Sequence, residues 1–195
     1  GGCNGCSRCC HGMGNSIILD PYDVYRMTTG MGKSMQELLA ASVELNVVDG
    51  VILPNLKMQG AEEACAYLDG EGRCSIHPYR PGICRLFPLG RYYENGGFSY
   101  FLQTGECAKE NRSKIKVSKW IDTPDLTRNQ QFTLQWHDLL HAMEERLTGE
   151  DEGKQREENL LLLRLFYLLP YEGTIDFYTQ FTERMEHWNG QNGQI

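Results

Sequence analysis

The sequence predicts an α+β fold. An irregular cysteine-rich metal-binding core, with short helices and a β-hairpin, precedes a C-terminal helical, bundle-like part. Three observations carry that prediction. All eight cysteines lie between Cys3 and Cys107. The same stretch is rich in Gly and Pro, which favour turns over long elements. From residue 123 onward, apolar residues recur at helical spacing. The expected division is residues 1–120 as a metal- or cluster-binding domain and 121–195 as a helical extension packed on it.

Asp20-Pro21 reads as an N-cap followed by Pro at the first helical position, so a short helix is expected over 21–28, ended by Gly30 and Gly32. Ser34-Met35-Gln36-Glu37 matches a capping box and predicts a helix through about Leu45. Val47 to Met58 is β-branched and apolar around Gly50 and Pro54, which predicts strand with at least one break. Ala64 to Leu68 reads as another short strand. Leu89 to Gln103 predicts a hairpin turning at Glu94-Asn95-Gly96-Gly97.

Thr123-Pro124-Asp125 starts a long helix that ends at Gly149, with Phe132, Trp136, Leu139, Leu140, Met143 and Leu147 as its apolar stripe. Two more helices are expected over 154–169 and 174–188.

Composition excludes several function classes. The chain has 195 residues, 41% apolar and 23% charged, which excludes disorder over most of its length. Nineteen basic against 26 acidic residues give a net charge of −7, so no nucleic-acid partner is expected. The longest apolar stretch, Leu160 to Leu169, has ten residues and contains Arg164. A membrane span needs about 20, so no membrane partner is expected either. The chain opens Gly-Gly-Cys rather than with a signal-like segment, and reads as cytoplasmic, where thiols stay reduced. A protein or redox partner stays open, and the oligomeric state is not legible.

Cys3-Asn4-Gly5-Cys6-Ser7-Arg8-Cys9-Cys10 is the sharpest motif. Two residues between cysteines let both sulfurs reach one metal around a tight turn, which Gly5 relieves. Repeated at once, the spacing gives C-x2-C-x2-C, which recurs at cubane iron–sulfur clusters. Zinc sites more often use two separated C-x2-C pairs. The spacing leans towards iron–sulfur without deciding it. Neighbours such as Cys9 and Cys10 seldom ligate one atom together. A second block runs from Cys74 to Pro88, with three prolines between Cys74 and Cys84 or just beyond. It predicts a rigid irregular loop that presents ligands. Arg8, Arg73, Arg80, Arg85 and Arg91 lie near cysteines in sequence. They either offset thiolate charge or are solvated surface groups.

Four blocks follow one another in order. They are the Cys3…Cys10 run, Cys65-Ala66-Tyr67-Leu68-Asp69, Gly72-Arg73-Cys74-Ser75-Ile76-His77, and Arg80-Pro81-x-x-Cys84-Arg85-x-Phe87-Pro88. Together they resemble the bacterial C-x2-C-x2-C-C cysteine-cluster family, described as zinc- or iron-chelating or as iron–sulfur-containing. Flagellin lysine methylase carries a similar region. The resemblance covers about residues 3–107 and stops short of the helical part. It implies that Cys3, Cys6, Cys9, Cys10, Cys65, Cys74 and Cys84 occupy the family's cysteine positions, with Cys107 as an additional ligand.

The leading expectation is therefore a metalloprotein with a redox, sensing or accessory role. Its [4Fe–4S] cluster would be held among Cys3, Cys6, Cys9, Cys10, Cys74 and Cys84, with Cys65 and Cys107 in the wider metal-binding set. Zinc and mononuclear iron are alternative cofactors. Two other classes stand beside it: a lysine methylase-like protein-modifying enzyme, and a zinc-stabilised structural or interaction protein. The enzyme reading requires a pocket beside the cysteines, lined by Tyr79, Tyr92, Tyr93 or the helical part. No catalytic residue is legible.

Disulfides and buried thiols are the competing readings of the cysteines. His137, His141 and Glu145 share one helix face, as any polar flank would. His77 lies between prolines and cysteines as a ligand or donor candidate. Lys109, Arg112, Lys114, Lys116 and Lys119 form a basic run that reads as a solvated face. Gly30-Met31-Gly32-Lys33-Ser34 fails as a phosphate loop, because Met27 stands where the motif needs Gly.

Overall fold

The computed structural model describes residues 6–107 and 114–192. Cys3, Lys109 and Arg112 lie outside the described residues. Arg8–Cys10 form a single 3-10 turn, and α1 (Pro21–Met31) follows. The Asp20 carboxylate accepts from the Asp23 N–H at 2.8 Å, while Asp23 accepts from the Asp20 N–H at 3.2 Å. This reciprocal cap satisfies two orphan donors of the first turn. The helix runs past the expected stop at Gly30 and ends at Gly32, which is left-handed at φ 64°. Gly30 stays helical under the Tyr79 ring, which occupies the space a Cβ would need.

Ser34 and Glu37 form the expected capping box of α2 (Met35–Ala41). That helix does not reach Leu45. β1 (Val43–Val48) takes over and pairs antiparallel with β2 (Val51–Leu56), from Val43 opposite Leu56 to Val48 opposite Val51. β-branched Val43, Val47 and Val48 favour the pleated state. Asp49 and Gly50 turn the hairpin with φ of 50° and 82°, as a two-residue loop of primed type requires.

β3 (Met58–Gln59) pairs with β4 (Ala64–Cys65), and Leu68 contributes only an isolated bridge to Cys74. The Pro-rich block is less irregular than expected, because α3 (Gly82–Leu86) forms inside it. β5 (Leu89–Glu94) and β6 (Gly97–Leu102) make the expected hairpin around Asn95-Gly96.

α4 (Val117–Ile121), unforeseen, leads to α5 (Leu126–Leu147), capped by the Asp125 carboxylate. α6 (Glu152–Leu163) widens into one π turn at Arg164–Leu168, and α7 (Phe177–Asn192) closes the chain.

One hydrophobic core serves both halves. Leu19, Met27, Leu38, Val43 and Leu56 pack with Phe132, Trp136, Met143, Phe166, Tyr167 and Phe181. Burying each large aromatic contributes about 1.5–3 kcal/mol. Edge-to-face contacts at 4.8 Å for Phe132–Phe181 and 5.1 Å for Trp136–Phe166 add to that. Polar clamps set the register between halves. The Tyr167 hydroxyl donates to the Leu19 carbonyl at 3.1 Å. Asn159 accepts from the Ile52 N–H at 2.6 Å and donates to the Gly50 carbonyl at 3.2 Å, gripping the β1–β2 turn.

Candidate metal centre

Three chain segments carry the described cysteines whose thiols act on one another electrostatically. The first is the Arg8–Cys10 turn, closed by the Cys10 N–H donating to the Ser7 carbonyl at 2.8 Å. It is tied to β4 through the bridge of His11 with Ala64 and the Gly12 N–H donating to the Glu63 carbonyl at 3.0 Å. The second is the stretch from Cys65 to Cys74. The Asp69 carboxylate folds it back, accepting from the Glu71 and Arg73 N–H groups at 2.9 and 2.8 Å. Asn and Asp favour such turns because a short carboxylate or amide reaches the backbone two residues on. The Ser75 N–H then returns to the Tyr67 carbonyl at 2.9 Å. The third segment is α3, which carries Cys84.

α3 has only five residues and cannot stand on its own helical propensity. Two buried side chains position it. Asp23, from the α1 cap, accepts from the Gly82 N–H at 2.6 Å. Arg85 is 6% exposed and donates only to backbone carbonyls: Arg80 at 3.2 Å, Asp122 at 3.0 Å and Pro78 at 2.6 Å. It thereby ties the loop to the residue just after α4. Burial, then the neighbouring Arg26 and Arg80, pull its pKa down to about 10, still charged at neutral pH.

Cys9, Cys10, Cys65, Cys74 and Cys84 are half-buried, and Cys65, Cys74 and Cys84 pack against the hydrophobic core. The five thiols act on one another electrostatically. Cys9 is felt by Cys10, Cys65, Cys74 and Cys84; Cys65 by Cys10, too; Cys74 by Cys65 and Cys84. The Cys10 thiol hydrogen-bonds Cys9 and pulls the Cys9 pKa down to about 6, with Arg80 assisting. Cys10 is pushed up by the same bond and by burial. Burial raises Cys65, Cys74 and Cys84.

A thiolate is the metal-binding form. A bound cation would reverse the upward push on the raised thiols. Among the described residues, no group of three or more His, Cys, Asp or Glu side chains is placed to hold a metal ion. The donor chemistry nevertheless fits iron or zinc: all sulfur, partly dry, and next to a guanidinium.

The remaining candidates separate. Cys6 is exposed, and Cys107 is half-buried after the β5–β6 hairpin. Cys6, Cys9, Cys10, Cys65, Cys74 and Cys84 form no disulfide.

Of the five arginines, Arg80 holds down the pKa values of Cys9 and Cys74. Arg85 is a backbone staple, and Arg91 acts on the Asp20–Asp23 pair. Arg73 pairs with Asp69 and Glu71 at the surface, and Arg8 is exposed. His77 contacts Arg80, and burial followed by Arg80 and Arg85 pushes its pKa down. His137 stacks on Tyr93 at 3.7 Å, and His141 lies 3.6 Å from Glu145 at the surface.

Sequence reasoning missed Asp23 altogether, and it read Arg85 as offsetting thiolate charge or as a surface group where the structure makes it a backbone staple. The cap signal is read at Asp20-Pro21 alone, and the Asp23 bond to Gly82 spans 59 residues.

No helix among the described residues is long and apolar enough to cross a membrane. No curated protein and no solved structure matches the chain. A family pattern does match, over residues 2–133, with the description "CxxCxxCC: Putative zinc- or iron-chelating domain". The match extends beyond the resemblance read up to Cys107 and enters the first turns of α5. The match covers more than half of the chain and includes Cys9, Cys10, Cys65, Cys74 and Cys84, and the chain belongs to the CxxCxxCC family of zinc- or iron-chelating domains.

Proposed function

We propose that the metal centre of this protein is a [4Fe–4S] cluster with a redox or sensing role. One observation carries the reading: five half-buried thiols from three segments act on one another electrostatically. Four thiolates serve a tetrahedral zinc and a cubane cluster alike, so the spacing of the first cysteines favours the cluster. The Cys3-x2-Cys6-x2-Cys9 spacing recurs at cubane clusters. Cys9, Cys65, Cys74 and Cys84 are the favoured ligand set among the described residues, with Cys10 holding Cys9 by its hydrogen bond, and Cys3 and Cys6 as further donors.

When bound, such a cluster supplies a one-electron couple. The protein's own groups would tune it. Arg80 offsets thiolate charge, Arg85 keeps the Pro78–Gly82 loop in place, and the core limits water on the Cys65–Cys74–Cys84 side. The test is elemental analysis of protein prepared without air. The reading predicts about four iron and four sulfide per chain. Zinc alone, with no sulfide, would remove the cluster while leaving metal binding intact.

A further inference from the structure

Beyond the cysteines, the described residues form a cleft of about 350 Å3 between α1, the start of α5 and the start of α7. Tyr22, Tyr25, Tyr79 and Tyr178 supply its aromatic walls. Tyr22 is stacked with Tyr178 at 5.9 Å and with Tyr25 at 6.2 Å. Tyr79 belongs to the loop between Cys74 and Cys84, so the cleft borders the cysteine-bearing segment. Tyr92 and Tyr93 do not line it.

Two carboxylates and two guanidiniums also line the cleft, and their pairing decides what charge it accepts. Asp176 takes Arg128 in a two-point pair at 2.6 and 3.3 Å and accepts from the Thr179 N–H at 3.1 Å. Asp125 caps α5 by accepting from the Arg128 N–H and lies 3.8 Å from the Arg128 side chain. Both carboxylates are therefore committed. Arg26 is different. Its Nη2 donates to the Pro78 carbonyl, which Arg85 shares. Its Nη1 is buried with no hydrogen-bond partner, and no carboxylate lies within ion-pair range among the described residues. A buried guanidinium nitrogen left unbonded is costly, and an anionic acceptor relieves it best.

We propose that this cleft binds a small molecule carrying a flat ring and an anionic group, the ring against the tyrosines and the anion on Arg26. The volume suits one ring system with a short acidic arm. Aromatic acids and nucleotides share that chemistry.

Titration calorimetry on the full-length, metal-loaded protein tests it with 2-naphthoate against 2-naphthamide and adenosine 5′-monophosphate against adenosine. At least one anion should bind about tenfold more tightly than its neutral partner. If the nucleotide shows the preference, the site takes nucleotides; if only the naphthoate does, it takes simple aromatic acids. Arg26→Gln should erase the preference while metal per chain stays unchanged. Gly30→Ala pushes the Tyr79 ring aside and should weaken charged and neutral probes alike. Equal affinity for charged and neutral probes, or no binding at about 10 mM, overturns the proposal. Should Arg26→Gln lose its metal, the wild-type comparison decides alone.

Discussion

The cysteine-bearing half and the helical half stabilise themselves in different ways. Between α5 and α7, four phenylalanines, Phe132, Phe166, Phe177 and Phe181, are at most 2% exposed and touch one another in a continuous aromatic stack. Between Cys65 and Leu86 only Ile76, Pro81, Arg85 and Leu86 are buried. There the chain holds through single polar staples, each made by a named carboxylate or guanidinium. Apolar burial tolerates the loss of a contact, whereas a staple is a single point of failure. The cysteine segment thus depends on its metal far more than the helices do.

The largest expected effect follows from removing the metal. Structural metal sites can contribute on the order of 10 kcal/mol of apparent binding free energy. Chelation should strip hydrogen-exchange protection from residues 64–86 while α5 to α7 stay protected. Equal loss in both halves would erase the contrast.

Next comes Phe166→Ala, which empties a fully buried aromatic site. It should cost about 3–5 kcal/mol in denaturant unfolding, with metal per chain unchanged in the folded protein.

Arg85→Met removes three backbone bonds from one buried guanidinium. About 2–3 kcal/mol is expected, and here the loss should appear as weaker metal retention as well as a lower unfolding midpoint.

A smaller effect concerns pH. Burial pushes the Asp20 pKa up to about 6, above that of an ordinary carboxylate. The folded state therefore binds this proton more tightly than the unfolded state. The contribution is complete below about pH 4 and is lost as pH rises through about 6. Asp20→Asn keeps a competent cap and removes both this carboxylate and its upward push on the buried Asp23, so the difference reports the Asp20–Asp23 pair. Wild type should therefore lose about 1–2 kcal/mol relative to that variant between pH 4 and 7.5, an amount already reduced for partial exposure. Comparing the two proteins cancels acid-induced metal loss common to both. A flat difference would show that Asp20 stays ionised.

The smallest effect belongs to the exposed Arg128–Asp176 pair. Asp176→Asn should change stability by at most about 1 kcal/mol.

What was legible in the sequence follows the same contrast. Local signals read well: the caps at Asp20 and Ser34, the Asn95-Gly96 turn, and the apolar stripe from Phe132 to Leu147. Errors arose where a distant partner overrides a local preference. Gly30 stays helical beneath Tyr79, and Val43 to Leu45 joins β2 rather than extending α2. α3 exists because Asp23 and Arg85 hold its start and its loop. The cysteines were visible as a set, but not which ones converge. Convergence depends on backbone bridges between His11 and Ala64 and between Leu68 and Cys74, and no spacing encodes those.

The central claim is that thiols from all three segments share one metal centre. Metal per chain in Cys84→Ser, set against Cys6→Ser and wild type prepared together without air, tests it most directly. Cys84→Ser should lose most of its metal while Cys6→Ser keeps most of it. Full metal content in Cys84→Ser, with the fold intact by hydrogen exchange, would contradict a shared centre.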